Sequence, residues 1–454
     1  MAESIPTDPR TALRSDREIK RRVKELAQGD NATNFVHIGG VYLVIAATMS
    51  ATIWIWGQLS ASPYGWIAML PLYILAVLII GASQHQLAGA GHEGSHHTLF
   101  RHRLLNELAS DILCMFPLFS STFQFRLYHL QHHQFVNDRQ LDPDFAMLER
   151  SGHWMHFPVS RSELTRMLLK QATIWPLLRH ILARARYNAI GSPDRSPYLD
   201  AGSPRAKVAT RLALVFFVGM LTILAVATRT GNAPLVFIGV PALWLAVGLA
   251  ILALPADCFS GTKLKPVIPT RYHLLLRTGY FALLFTTLGG IHAATGLPLM
   301  RGFLLLWIVP LLTAFPLCLI MRQLVQHGNA DRGWLTNTRV FHVNPVLRYA
   351  IFPFGMDYHL PHHMYATVPH FRLKALHRTL SEHPEYAEAC VETDNYLVPS
   401  DREPRRPTVA EVLGPDYAPK DGADIFIDEE VLSGLDPANE AFLRETGRAA
   451  RAGE

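Results

Sequence analysis

The chain has 454 residues, 49% of them hydrophobic and 17% charged, with a formal net charge of +5. Soluble domains typically carry about 25% charged residues, so this composition argues against one large soluble core. The charge is modest and no Lys/Arg-rich run is interleaved with aromatics, which argues against nucleic-acid binding.

Residues 1–34 are polar and read as a cytoplasmic N-terminal arm. Arg10, Arg14, Arg17, Lys20, Arg21, Arg22 and Lys24 lie within it, and it lacks the apolar centre of a cleavable signal peptide. No Asp, Glu, Lys or Arg then occurs between Asp30 and Glu93. That stretch holds two membrane spans of roughly 20 residues each, with a turn near Ser60–Gly65. The cluster His92-Glu-Gly-Ser-His-His97 closes it. Ile112–Phe125 is apolar but too short to span, and reads as an interfacial or re-entrant segment.

His129-Leu-Gln-His-His133 follows, within an expected cytoplasmic insert over 126–211. Glu149–Arg211 carries 11 Lys/Arg against four Asp/Glu. Two readings stay open for it: attraction to anionic lipid head groups, or docking of an acidic electron-carrier protein. Four more charge-poor segments come next: Leu212–Thr228, Thr230–Ala256, Thr278–Met300 and Gly302–Met321. Arg211 and Arg229 bound the first and can snorkel to the interfaces. The cluster His359-Leu-Pro-His-His363 follows the last. Residues 35–385 are thus expected to form the membrane catalytic domain. Residues 386–454 read as a soluble, partly disordered tail, with prolines in its first half and a short helix near Pro437–Ala450. Cys114, Cys258, Cys318 and Cys390 are dispersed and read as reduced, buried residues.

The expected fold is all-α: a polytopic membrane protein with about six transmembrane helices in three hairpins, and a cytoplasmic helical cap holding the histidine clusters. Basic residues concentrate in the N-terminal arm, whereas the opposite-side loops hold only Arg229 and Arg301, so both termini are expected in the cytoplasm. Each hairpin returns the chain to the same side. All three clusters therefore reach one face of the bilayer, where they can meet.

A His-x-x-His-His pentapeptide is expected by chance about 0.05 times in a chain with this many histidines, and two on the order of a thousandth. On a helix, positions i, i+3 and i+4 share a face, so His129, His132 and His133 converge, as do His359, His362 and His363. Pro361 is harmless if it lies in the first turn of its helix. His92 and His96 are one turn apart, and His97 points elsewhere. Eight imidazoles exceed the four ligands of a tetrahedral zinc. They suit two metal ions sharing a cavity, with redox-active iron favoured over magnesium or calcium. Glu93, Asp138, Asp142 and Asp144 are the nearest acceptors to fix the imidazole tautomers, although Asp142 also suits a turn with Pro143. His85, two turns before His92, either hydrogen-bonds a ligand or lines the site. His37, His102, His153, His156, His180, His273, His342, His370, His377 and His383 read as structural or solvated, and His292 lies near the opposite membrane face.

Gly91-His-Glu-Gly-Ser-His-His-Thr-Leu-Phe100 resembles the first histidine box of integral-membrane fatty acid desaturases and their hydroxylase relatives. Arg126-Leu-Tyr-His-Leu-Gln-His-His133, with Asn137 and Asp142-Pro-Asp144 behind it, is similar to the second. Tyr358-His-Leu-Pro-His-His-Met-Tyr-Ala-Thr-Val-Pro369 resembles the third. The likeness covers roughly residues 35–385. It implies a non-haem di-iron centre that activates O2 and removes hydrogen from an unactivated methylene. The ligands carried over are His92, His96, His129, His132, His133, His359, His362 and His363. His327, in Gln323-Leu-Val-Gln-His-Gly328, takes the place of a further ligand that family members often have before the third box. Gln323 stands where some relatives have Asn and is left out.

The resemblance implies an acyl lipid substrate and O2; the charge pattern puts the expected active site on the cytoplasmic face, and a bacterial inner membrane is the expected location. The sequence has neither the His-Pro-Gly-Gly motif of a fused cytochrome b5 nor a cysteine set for an iron–sulfur cluster. A separate electron donor of ferredoxin or cytochrome b5 type is expected. Hydroxylation of an acyl chain, carotenoid or alkane is the alternative outcome of the same first step. A metal transporter would place ionisable residues near mid-membrane, whereas these boxes lie at span ends.

Overall fold

A computed structural model describes residues 12, 13, 15–188, 198, 199, 205–399, 403 and 405–419. The helix expected near Pro437–Ala450 lies outside them. Six helices among the described residues are long and apolar enough to cross a membrane. They are α2 (Thr33–Leu59), α3 (Gly65–Ser95), α9 (Val208–Thr230), α10 (Ala233–Ala253), α11 (Thr270–Thr295) and α12 (Leu299–Gln326). Each coincides with a charge-poor stretch of the sequence. Among the described residues the fold is all-α apart from one parallel strand pair, β1 (Val340–His342) with β2 (Glu392–Asp394). Apolar side chains such as Val36, Leu43, Trp54, Ile238 and Leu283 stand exposed along the long helices, as a lipid-facing surface requires.

The chain divides into two compact units. One comprises residues 196–310, with α9, α10, α11 and the start of α12. Within it α10 packs against both α9 and α11, and Trp244 Nε1 donates to Thr278 Oγ1 at 3.2 Å.

The other unit, residues 1–195 and 311–454, carries every histidine box. Asp30 starts α2 by accepting from the Ala32 and Thr33 amides at 2.8 and 2.7 Å. Helix α3 packs antiparallel to α2 after the turn at 60–64. Its 31 residues make about 46 Å of helix, well beyond a hydrocarbon core of about 30 Å. The excess is wrapped in protein: from Ile80 to Ser95 every residue but Ala88 is buried. Small residues let α12 approach closely, since a Cβ on Gly81 would lie 2.4 Å from that of Ala314.

Around these span ends sit short helices: α1 (Arg17–Leu26), α4 (Arg103–Ser110), α5 (Thr122–Gln134), α6 (Pro143–Ser151), α7 (Arg161–Gln171), α8 (Ile174–Asn188), α13 (Pro345–Ile351), α14 (His359–Met364) and α15 (Leu373–Leu380). Helix α1 packs on α15, and Arg22 meets Glu382 at 3.0 Å. The start of the stretch read as a tail is folded here. Asn329 Nδ2 donates to the Val412 and Gly414 carbonyls at 3.0 and 2.8 Å, and the Tyr396 hydroxyl donates to the Met321 carbonyl at 2.9 Å.

Candidate metal centre

Four elements bring nine histidines together. His92 lies in the last turn of α3 and His96 directly follows it. Helix α5 carries His129, His132 and His133, α14 carries His359, His362 and His363, and His327 directly follows α12. Pro361 is the third residue of α14, where its missing N–H costs no helical hydrogen bond.

The side chains sort into two groups, with the ligand atoms of each within 4.8 Å of one another. His92, His96, His129, His133 and His362 form the first, and His132, His327, His359 and His363 the second. Helical spacing causes the split. On α5, His129 and His133 are one turn apart and share a group, while His132 turns to the other. On α14, His359 and His363 share the second group, and His362 reaches the first. The His133 and His363 rings stack at 4.1 Å between centroids, so the groups adjoin.

The donor chemistry fits metal ions. His132 Nδ1 donates to Asp142 Oδ1 at 3.0 Å and His327 Nδ1 donates to the Asn337 carbonyl at 2.9 Å. Each neutral ring then presents an Nε2 lone pair, yet these two Nε2 atoms are 3.2 Å apart. Lone pairs at that distance need a cation between them. The ring continues, from His327 Nε2 to His359 Nε2 at 2.9 Å and on to His363 Nε2 at 3.1 Å. One proton cannot bridge four nitrogens. In the first group His129 and His133 approach at 2.9 Å, and His133 and His362 at 3.1 Å. Ligands bonded at about 2.1 Å to one ion sit roughly 3.0 to 3.4 Å apart, depending on the angle between them. Both nitrogens of His92, and Nε2 of His96, are buried without a hydrogen bond among the described residues, a costly state unless a ligand completes it.

Electrostatics agree. Burial, reinforced by neighbouring imidazoles, holds His129, His133, His327, His359, His362 and His363 well below the ordinary histidine range. That favours the neutral imidazole, the form a metal binds. His132 is the exception: burial opposes its charge, but Asp142 and Asp144 outweigh that and push it up to about 9. The carboxylates that draw a proton to this spot equally favour a metal cation in its place.

The expected supporting residues take distinct positions. Asp142 accepts from His132 and also caps α6, accepting from the Asp144 amide at 2.9 Å. Asp144 accepts from Gln323 Nε2 at 3.0 Å and from the Tyr128 hydroxyl. Its other oxygen is 3.7 Å from His132 Nδ1. Asp138 pairs with Arg332 at 3.0 Å. Glu93 lies 3.6 Å from His92 Nδ1 and accepts from Thr98 Oγ1 at 3.0 Å and the His370 amide at 2.9 Å, linking the first box to the loop after the third. His85 pairs with the Ala350 carbonyl at 2.8 Å. His97, at φ 59°, turns to Glu107 instead of the metal groups.

Two arginines escaped the sequence reading. Arg126, three residues before His129, donates to the Gly94 and Ser95 carbonyls at 2.8 and 2.7 Å, with Glu107 as counter-ion. Arg339 donates to the Val325, Gly328 and Asn329 carbonyls at 3.1, 2.6 and 2.7 Å. Each gathers backbone carbonyls at and just beyond the end of a long helix, where the chain turns to deliver a histidine.

The family model described as fatty acid desaturase matches residues 64–260 and 244–393, most of the chain. The dihydrorhizobitoxine desaturase of Bradyrhizobium elkanii is 32% identical over 143 residues, which cover 31% of this chain and 36% of that protein. The aligned part therefore spans about a third of that relative's length.

Proposed function

Because the chain belongs to the fatty acid desaturase family, we propose that its nine grouped histidines hold two iron ions and that it introduces a double bond into the acyl chain of a lipid. The observation that carries this reading is the meeting of Nε2 lone pairs in two adjoining groups. When bound, two iron ions would supply O2 activation and hydrogen abstraction from an unactivated C–H bond.

The chain's own residues supply the rest. His132 and His327 are oriented by Asp142 and the Asn337 carbonyl. The wrapped end of α3 keeps bulk water from His92 and His96. The apolar spans offer the acyl substrate a dry approach. Electrons come from a separate donor of ferredoxin or cytochrome b5 type.

Sidedness follows from charge. Helix α1, with Arg17, Lys20, Arg21, Arg22 and Lys24, packs on α15 just beyond the third box, so the positive-inside rule puts the site in the cytoplasm with the N-terminus. A bacterial inner membrane is the proposed location. In the basic insert Leu169, Ile174, Trp175 and Leu182 are exposed beside Arg161, Arg166, Lys170 and Arg179. Apolar residues among cations suit a lipid interface better than an acidic protein.

The deciding experiment is expression in a host of simple lipid composition, followed by mass spectrometry of its fatty acids. A new product lighter by two hydrogens is expected. A gain of one oxygen would make the enzyme a hydroxylase, and an unchanged lipid profile beside a protein holding two irons would overturn the acyl-lipid assignment. The relative's name supports a second substrate reading, dihydrorhizobitoxine, which the same host tests when supplied with that compound.

A further inference from the structure

Away from the nine histidines, a separate set of donors meets at the strand pair. His342 closes β1, His377 lies on α15 and Glu392 opens β2. The three are 35 and 15 residues apart in sequence, so no local pattern betrays them. Their donor atoms all lie within 4.8 Å of one another. Parallel pairing of β1 with β2 matches Val340 to Glu392 and His342 to Asp394, so Glu392 and His342 stand two positions apart on one face of the strand pair.

The geometry points both imidazoles at one carboxylate. His342 Nε2 lies 2.9 Å from Glu392 Oε2, and His377 Nε2 lies 3.4 Å from Glu392 Oε1. Donors bonded to one zinc at about 2.0–2.1 Å sit roughly 3.3 Å apart at tetrahedral angles, which these separations bracket. His377 Nδ1 is engaged by the Tyr386 hydroxyl at 2.9 Å, which fixes the ring and leaves Nε2 as its inward nitrogen, the arrangement typical of metal-bound histidine. A plain ion-pair network is the competing account. Arg406 alone, at 2.7 Å from Glu392 Oε2, already balances that carboxylate, and two more imidazoles exceed what such a pair requires. The side chains are 27%, 11% and 24% exposed for His342, His377 and Glu392, which leaves room for water as a fourth ligand.

We propose that His342, His377 and Glu392 form an additional site for a zinc-like divalent transition metal, distinct from the nine-histidine centre and without a part in its redox chemistry. The ion clamps β1, α15 and β2 together. Val340 of β1 also bridges to Tyr358, the residue before His359, so the clamp steadies the mount of α14. This inference does not depend on the desaturase reading.

The full-length protein, purified in detergent and loaded with iron, would be equilibrated with micromolar zinc and its bound metals counted. Wild type is expected to hold one more zinc per chain than His377→Ala and Glu392→Gln, while iron content is equal in all three. Because the result is a difference, it stands whatever metal the nine histidines hold. Equal zinc counts in the three proteins would overturn the proposal. Should the variants fold poorly, X-ray absorption of the zinc in wild type decides instead: two imidazoles with oxygen ligands support the site, and an imidazole-only shell refutes it.

Discussion

Replacing His132 by alanine is expected to abolish product formation and to halve the iron bound per chain, while the protein still inserts and folds. His132 is the only residue of α5 that reaches the second group. Its loss leaves His327, His359 and His363 around a position whose nearest negative charge can no longer act through a ligand. The first group keeps all five of its imidazoles, so an iron count near one per chain separates local damage from collapse. The fold should survive because Asp142 keeps its bonds to the Asp144 and Asn137 amides, both at 2.9 Å. Asp142→Asn tests the same position more gently. The amide can still cap α6, but it no longer supplies the charge that orients and polarises His132. Second-group metal affinity is expected to fall about 10–100-fold, read by competition with a chelator of known strength. Two irons per chain in His132→Ala would mean that the ion sits elsewhere.

The spans were legible because membrane insertion acts on composition. A charge-free run of the right length has few alternatives to a buried helix, and the stretch from Asp30 to Glu93 became α2 and α3. Eight of the grouped histidines were legible because i, i+3, i+4 spacing survives from sequence to structure, while His327 was placed by the family resemblance alone. The division into two groups was less visible, since it depends on how α5 and α14 are rotated against each other. Asp142 was open between a turn residue and a partner for a ligand; it does both at once. Arg126, Glu107 and Arg339 gave no signal, because each matters only through carbonyls on distant elements. His342, His377 and Glu392 were hidden for the same reason, joined by a strand pair of three residues each that no periodicity announces.

Arg126→Met should cost about 3–5 kcal/mol of stability, the usual result of removing one partner of a buried ion pair. Arg126 and Glu107 are 4% and 3% exposed, so Glu107 would lose its guanidinium counter-ion and keep the Asn106 amide at 3.3 Å and His97 Nδ1 at 3.5 Å beside it. The Gly94 and Ser95 carbonyls would lose their guanidinium donor as well. Glu107→Gln in the same chain should recover much of the loss, because a neutral amide tolerates burial better than a lone carboxylate. Denaturation in detergent of the two single variants and the double variant isolates the pair term. The double variant carries a second, functional reading. Even with stability restored, the guanidinium bridge from α5 to the Gly94 and Ser95 carbonyls at the end of α3 would still be missing, and α5 is the helix that brings His129 and His133 to meet His92 and His96. Metal retention in the first group should therefore remain below wild type while stability recovers. Full recovery of both would reduce Arg126 to a helix cap, and recovery of stability alone would make it the brace that sets box one against box two.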